Sequence, residues 1–133
     1  MPLLTTTQLA NARIAELGQN IAAHLSAAAS QCNRMVGETL QLGDADLTEW
    51  LQSRPPEETL QLLGAHGQLG ETLNAAAAIA TAILSESGLP SNIPPVDVRS
   101  AVEKLADQGR VLDMQALTVS TPPKPQPEPI TED

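Results

Sequence analysis

Three side chains in this sequence could act as soft metal ligands or nucleophiles: His24, Cys32 and His66. A thiol nucleophile needs an imidazole beside it and a third group to orient that imidazole. Folding the chain back on itself brings Cys32 and His66 towards each other, but no Asp or Asn stands in the pattern where it would orient the base. A zinc site needs paired Cys or His at short spacing, and neither Cys-x-x-Cys nor His-x-x-x-His occurs. Glu16, Glu57 and Glu58 are the carboxylates that a helical di-iron site would draw on. Such sites use Glu-x-x-His, and the residues three before the histidines are Ile21 and Leu63. Gly64-x-x-Gly67-x-x-Gly70 superficially resembles a phosphate loop, yet no strand pattern precedes it and no Lys follows. The sequence therefore reads as a non-enzyme, with no catalytic, metal or cofactor-binding residues expected.

Charge and composition narrow the partners. The 133 residues carry 16 acidic against seven basic side chains, a formal charge of −9. No two of the basic residues are adjacent, so there is no footprint for phosphate backbones and no polybasic surface for anionic membranes. Neither nucleic acid nor membrane is expected as a partner. Ala75 to Leu84 is apolar except for Thr81, too short a run to span a bilayer. A lone Cys32 allows no internal disulfide, and the first residues lack a signal-peptide pattern, so a cytoplasmic or virion location is expected. One Trp and no Phe or Tyr leave the core to Leu, Ile and Ala. That makes for slender packing.

The elements that must position these residues are helical. The fold class expected is all-α: a long antiparallel helical hairpin with a short lid helix at its turn and a third short C-terminal helix, then a disordered acidic Pro-rich tail. The helices are expected at about 8–42, 46–52, 55–87 and 97–108, forming one domain over 1–119, with the tail at 120–133. Thr5 to Thr7 offer caps for the first helix, Asp46 for the lid, Asp97 for the last; Ser53, Pro55 and Pro56 lead into the second long helix, and Gly88-Leu89-Pro90 ends it. Ile14, Leu17, Ile21, Leu25, Ala28, Cys32, Met35 and Leu40 recur at helical spacing on the first long helix. Folding back about Thr48 sets Leu17 and Ile21 against Ala75, Ala76 and Ala78, Leu69 against Ala27 and Ala28, and Leu60 and Leu63 against Val36 and Cys32. Gly64, Gly67 and Gly70 then mark either a close approach of another backbone or a break in the helix. Residues 110–119 fit a helical turn or a short strand equally well.

Two helices of this length leave more apolar surface than one seam can cover. Leu9, Leu25 and Leu40 on the first helix and Leu62 and Ile79 on the second are the residues expected at an interface. Trp50, the lid's aromatic, is expected to plug the end of the hairpin, with an exposed docking role as the alternative. The expected function is that of a structural or assembly protein, of the kind phage and virus particles use, acting through self-association as a homo-oligomer, dimer or trimer, or with other structural proteins. The alternative is an adaptor or inhibitor that offers the hairpin face, or the polyproline-like run from Pro123 to Pro129, to a single partner.

Overall fold

The structure is a computed structural model that describes residues 3–123. It is mostly helical, with α1 over Thr6–Leu40, α2 over Asp44–Gln52, α3 over Pro56–Glu86 and α4 over Ala101–Asp107. The chain is not purely helical, however: Val111–Asp113 (β1) and Thr118–Ser120 (β2) pair antiparallel, with Leu112 opposite Val119. The open segment at 110–119 is therefore a small hairpin. Asp113 shapes its turn by accepting from the backbone N–H of Gln115 and Ala116. Leu112, Leu117 and Val119 bury their side chains, Leu117 doing so at a φ of 54°, a conformation a leucine holds only when packing compensates.

Local sequence explains the helix ends, with two corrections. Thr5 and Gln8 form a reciprocal capping box, at 3.1 and 2.9 Å, that starts α1 at Thr6. Pro56 begins α3, with Glu57 and Glu58 at the positive end of its dipole. Past Ser87, Gly88 at φ 68° lets the Leu89 N–H reach back to the Leu84 carbonyl, closing the helix as its Gly-Leu-Pro signature implies. Asp46 does not cap α2. Gly43 takes the cap position, and Asp44, not Asp46, is drawn into a tertiary ion pair. Asp97 does not cap α4 either: Ser100 does, because the Asp97 carboxylate is held by the Arg99 guanidinium and the backbone around it is still extended.

That extended backbone, residues 89–100, is the feature with the largest consequence. It runs back along α1 and α3 as a strap and is held by two amide side chains. Asn33 of α1 donates to the Pro95 carbonyl at 3.0 Å and accepts from the Asp97 N–H at 3.0 Å. Asn74 of α3 donates to the Val96 carbonyl at 3.0 Å and accepts from the Val96 N–H at 2.8 Å. Each asparagine does for the strap what a neighbouring strand would do in a sheet. Val96 is driven into the groove beside Ala29 and Cys32, and its Cγ1 lies 2.8 Å from where a Cβ on Gly70 would be.

A second, larger cluster closes the turn end. Leu40, Leu47, Leu51, Leu105, Leu112, Leu117 and Val119 pack together, with Val36, Trp50 and Leu63 against them. Thr59 is fully buried and donates to the Leu51 carbonyl at 2.7 Å, tying α3 to α2. Arg110, its side chain only 10% exposed, pairs with Asp44 at 2.8 Å and donates to the carbonyls of Leu40 and Leu42 at 2.6 and 2.7 Å. The last turn of α1 has no basic residue of its own. Arg110 supplies the positive charge that the helix end favours.

The two long helices run side by side in opposite senses, but in a different register from the one expected. Gly18 lies against Leu84, Ala29 shares a cluster with Leu73, and Leu40 shares one with Leu63, so the chain folds back near Leu51. Leu17 and Leu69, expected inside the seam, are 51% and 44% exposed. The reason is that α1 turns the small residues Gly18, Ala22 and Ala29 inward, Leu84 and Ala80 of α3 are buried with them, and Leu17 and Leu69 fall beside that line. Helix α3 is unbroken through all three of its early glycines. Gly70 admits the strap, whereas a Cβ at Gly64 or Gly67 would meet nothing within 4 Å.

Asn74→Ala leaves the Val96 N–H and carbonyl without partners in a half-buried groove and should cost about 1–3 kcal/mol in thermal or urea unfolding; an unchanged midpoint would mean that the strap is held by Val96 alone. Gly64→Ala and Gly67→Ala should each stabilise by about 0.5–1 kcal/mol by removing backbone freedom from the unfolded chain, while Gly70→Ala should destabilise because the new methyl collides with Val96.

Candidate functional site

The chemistry-bearing residues and the apolar surface lie in different places. A cavity of about 260 Å³ opens between α1, α3, the strap and α4, lined by Cys32 and Val36, by Leu63, Gly64, His66 and Gly67, and by Val96 to Ala101 and Lys104. Cys32 lines it from α1 and His66 from α3. Cys32 is 4% exposed. Asn33 also lines this cavity, a neighbour in sequence to Cys32 that the pattern-based search for an orienting group passed over. Its amide oxygen and nitrogen are both committed to the strap, so it does not orient His66.

Burial pushes the His66 imidazole below its ordinary value, and the positive charges of Lys104 and Arg54 push the same way. The nearest acid in the lining, Asp97, is held at about 2 by the hydrogen bond from Arg99, which also binds Asp107. The arrangement favours a neutral imidazole in a cavity that a buried thiol also lines, and the one carboxylate of that lining, Asp97, is engaged by Arg99. His24, Glu16, Glu57 and Glu58 are exposed and separate from it, and among the described residues no three His, Cys, Asp or Glu side chains converge.

The interaction residues expected from sequence are dispersed. Leu9 and Ile79 are 55% and 64% exposed, Leu25 and Leu62 are half-buried, and Leu40 is buried at 5%. Leu40 belongs to the turn-end core, because α2 and the β-hairpin close over the end of α1. Trp50 is half-buried on that same core, with the Arg54 guanidinium 4.6 Å above its ring. It sits as a plug with one face covered by a cation.

Ile79 was expected at an interface, but the surface around it is made mostly of residues that sequence reasoning placed in the seam. Ile14, Leu17, Ile21 and Met35 on α1 and Leu69, Ile79 and Ile83 on α3 are each between 42% and 64% exposed. Their spacing by threes and fours puts them on one side of the helix pair. The strap occupies the other side, where Asn33 and Asn74 point. Ile14, Leu17, Gly18, Ile21, Ala80 and Ile83 line an apolar groove of about 230 Å³ along this bare face. Charge avoids the region as well: α1 has no Asp, Glu, Lys or Arg between Glu16 and Arg34, and α3 has none between Glu71 and Glu86. The signal was present in the sequence as the small residues Gly18, Ala22 and Ala29, which mark the true contact line once large residues are no longer assumed to face inward.

Among the described residues no helix is long and apolar enough to cross a membrane. The tail expected at 120–133 lies, from residue 124 onward, outside the described residues; Ser120 ends β2 and Thr121 donates to Asp44 at 2.7 Å. No protein-family model, curated protein or solved structure matches the chain.

The lowered His66 value predicts a pH dependence of stability. The unfolded imidazole titrates near 6.5 and the folded one below it, so the unfolded chain binds more protons in between. Stability should fall as pH drops through about 6.5 and level off once the folded value is passed, and His66→Gln should remove that component from melting curves recorded between pH 7.5 and 5.

Proposed function

We propose that this chain is a non-enzymatic structural or assembly protein that acts through helix–helix self-association, as a dimer or trimer built along α1 and α3. The observation that carries the reading is the bare apolar face. Leaving each of those Leu and Ile side chains largely in water forfeits on the order of 1 kcal/mol or more, and monomeric proteins rarely keep such a contiguous patch without using it. The composition supports the same reading. A core without Phe or Tyr, assembled around alanine and glycine contacts, gives a slender unit whose own buried area is modest, and slender helical units commonly complete their packing against copies of themselves. The acidic balance would keep such an assembly soluble and away from nucleic acid and anionic membranes. A phage or virion particle, or an assembly in the cytoplasm, is the setting we propose, on build alone.

Sedimentation velocity over a hundredfold range of concentration is the test. A defined species larger than the 14.0 kDa chain is expected. A compact monomer at every concentration would overturn the assembly role and favour an adaptor that offers this face to one different protein.

A further inference from the structure

We propose that a second copy of this chain covers the bare face, the two hairpins packing their α1 and α3 rows together about a two-fold axis as a four-helix bundle. The inference rests on the self-association reading and names its surface and its partner.

Area is the first argument. Ile14, Leu17, Ile21, Leu69, Ile79 and Ile83 are between 44% and 64% exposed, together leaving about three whole side chains in water, or about 400 Å² of apolar area. A stable interface of ~800 Å² per partner that is about 65% apolar needs about 500 Å². Met35 and the alanines on the same side, Ala28 and Ala76, supply the difference. The face is thus close to the size one copy of itself would cover, without help from the ends of the molecule.

Charge is the second. Two copies each carrying −9 repel one another, and an interface between them is tolerable only where neither presents charge. The uncharged stretches, residues 17–33 of α1 and 72–85 of α3, hold Leu17, Ile21, Ile79 and Ile83 of this face. A partner chosen for opposite charge would instead be met by an acidic surface, and the bare face has none to offer.

Shape is the third. The contact line between α1 and α3 is made of small residues flanked by large ones, so the face is two ridges with an apolar groove between them, lined by Gly18 and Ala80 at its floor. A groove of about 230 Å³ accommodates Leu or Ile side chains, and those are what the flanking ridges carry. Ridge into groove is satisfied mutually when the same surface meets itself about a two-fold axis. The opposite side cannot serve, because the strap already fills it between Asn33 and Asn74.

The experiment compares the full chain with Ile21→Glu, Ile79→Glu and, as control, Gln19→Glu, which places the same charge beside the strap near Pro90 and Asn92. Each is measured by sedimentation with circular dichroism alongside. The expected result is a dimer for the parent and the control, and at least about a hundredfold weaker association for both bare-face variants, since each puts two unpaired carboxylates in the interface, with helicity retained. Ile21 and Ile79 are both more than half exposed, so two independent variants report even if one loses its fold. An associating parent whose association survives both substitutions overturns this face while leaving self-association standing. A parent that is monomeric throughout overturns both.

Discussion

The structure depends on the docking of one stretch of backbone between two helices. Val96, in the middle of that stretch, is buried, and its part-buried N–H and carbonyl would each cost about 1–3 kcal/mol if left unpaired. Asn33 and Asn74 resolve this with one donor and one acceptor each, around Pro95, Val96 and Asp97. A primary amide is the side chain that offers both in a single plane. With the backbone satisfied, Val96 can be pressed onto Gly70, and the strap becomes a third layer on one side of the helix pair. Among the described residues no buried side-chain polar atom is left without a partner.

That layer sets the position of everything after it. The strap delivers α4 and the β-hairpin to the turn end, where Leu105, Leu112, Leu117 and Val119 complete a core that α2 begins. Arg110 then joins the end of α1 to the start of α2, its guanidinium meeting two helix-end carbonyls and the Asp44 carboxylate. Asp44 in turn accepts from Thr121, and that hydrogen bond, together with the one from Arg110, holds its carboxyl below the usual carboxylate range. One end of the hairpin is consequently closed by leucines and a charged clasp. The other end, beyond Ile21 and Ile79, is two helices with no third layer on their bare side.

Periodicity and capping chemistry made the four helices legible within a few residues, since Thr5, Pro56 and Gly88 act locally. The registry was not legible. Matching large to small residues about Thr48 assumed that Leu17, Ile21 and Leu69 pack in the seam, whereas Gly18, Ala22 and Ala80 are the buried residues there, with Leu84 closing over Gly18. Nothing local announces the strap. Its asparagines sit more than 20 residues from the backbone they hold, and a Pro-rich segment reads as a linker whether or not it is docked. The β-hairpin was ambiguous for a similar reason, its three-residue strands being stabilised by the core beneath them. Cys32 and His66 line one cavity, while the engagement of Asn33 elsewhere depends on contacts 62 and 64 residues away.

The same constraint that builds one face of the molecule leaves the other unfinished. Asn33 and Asn74 stand where the strap needs them, and the bare side keeps Leu17, Ile21, Ile79 and Ile83 over stretches with no charge at all. A helix pair with both sides in water would be expected to spread charge around both, as surface helices do. Here residues 17–33 and 72–85 carry no charge on any side, so the hairpin has the distribution of a buried element on a side that nothing in its own chain from residue 3 to 123 buries. Stability and association then draw on one surface: the small-residue seam that lets the helices close also pushes their large side chains outward, where only another apolar surface can take them out of water.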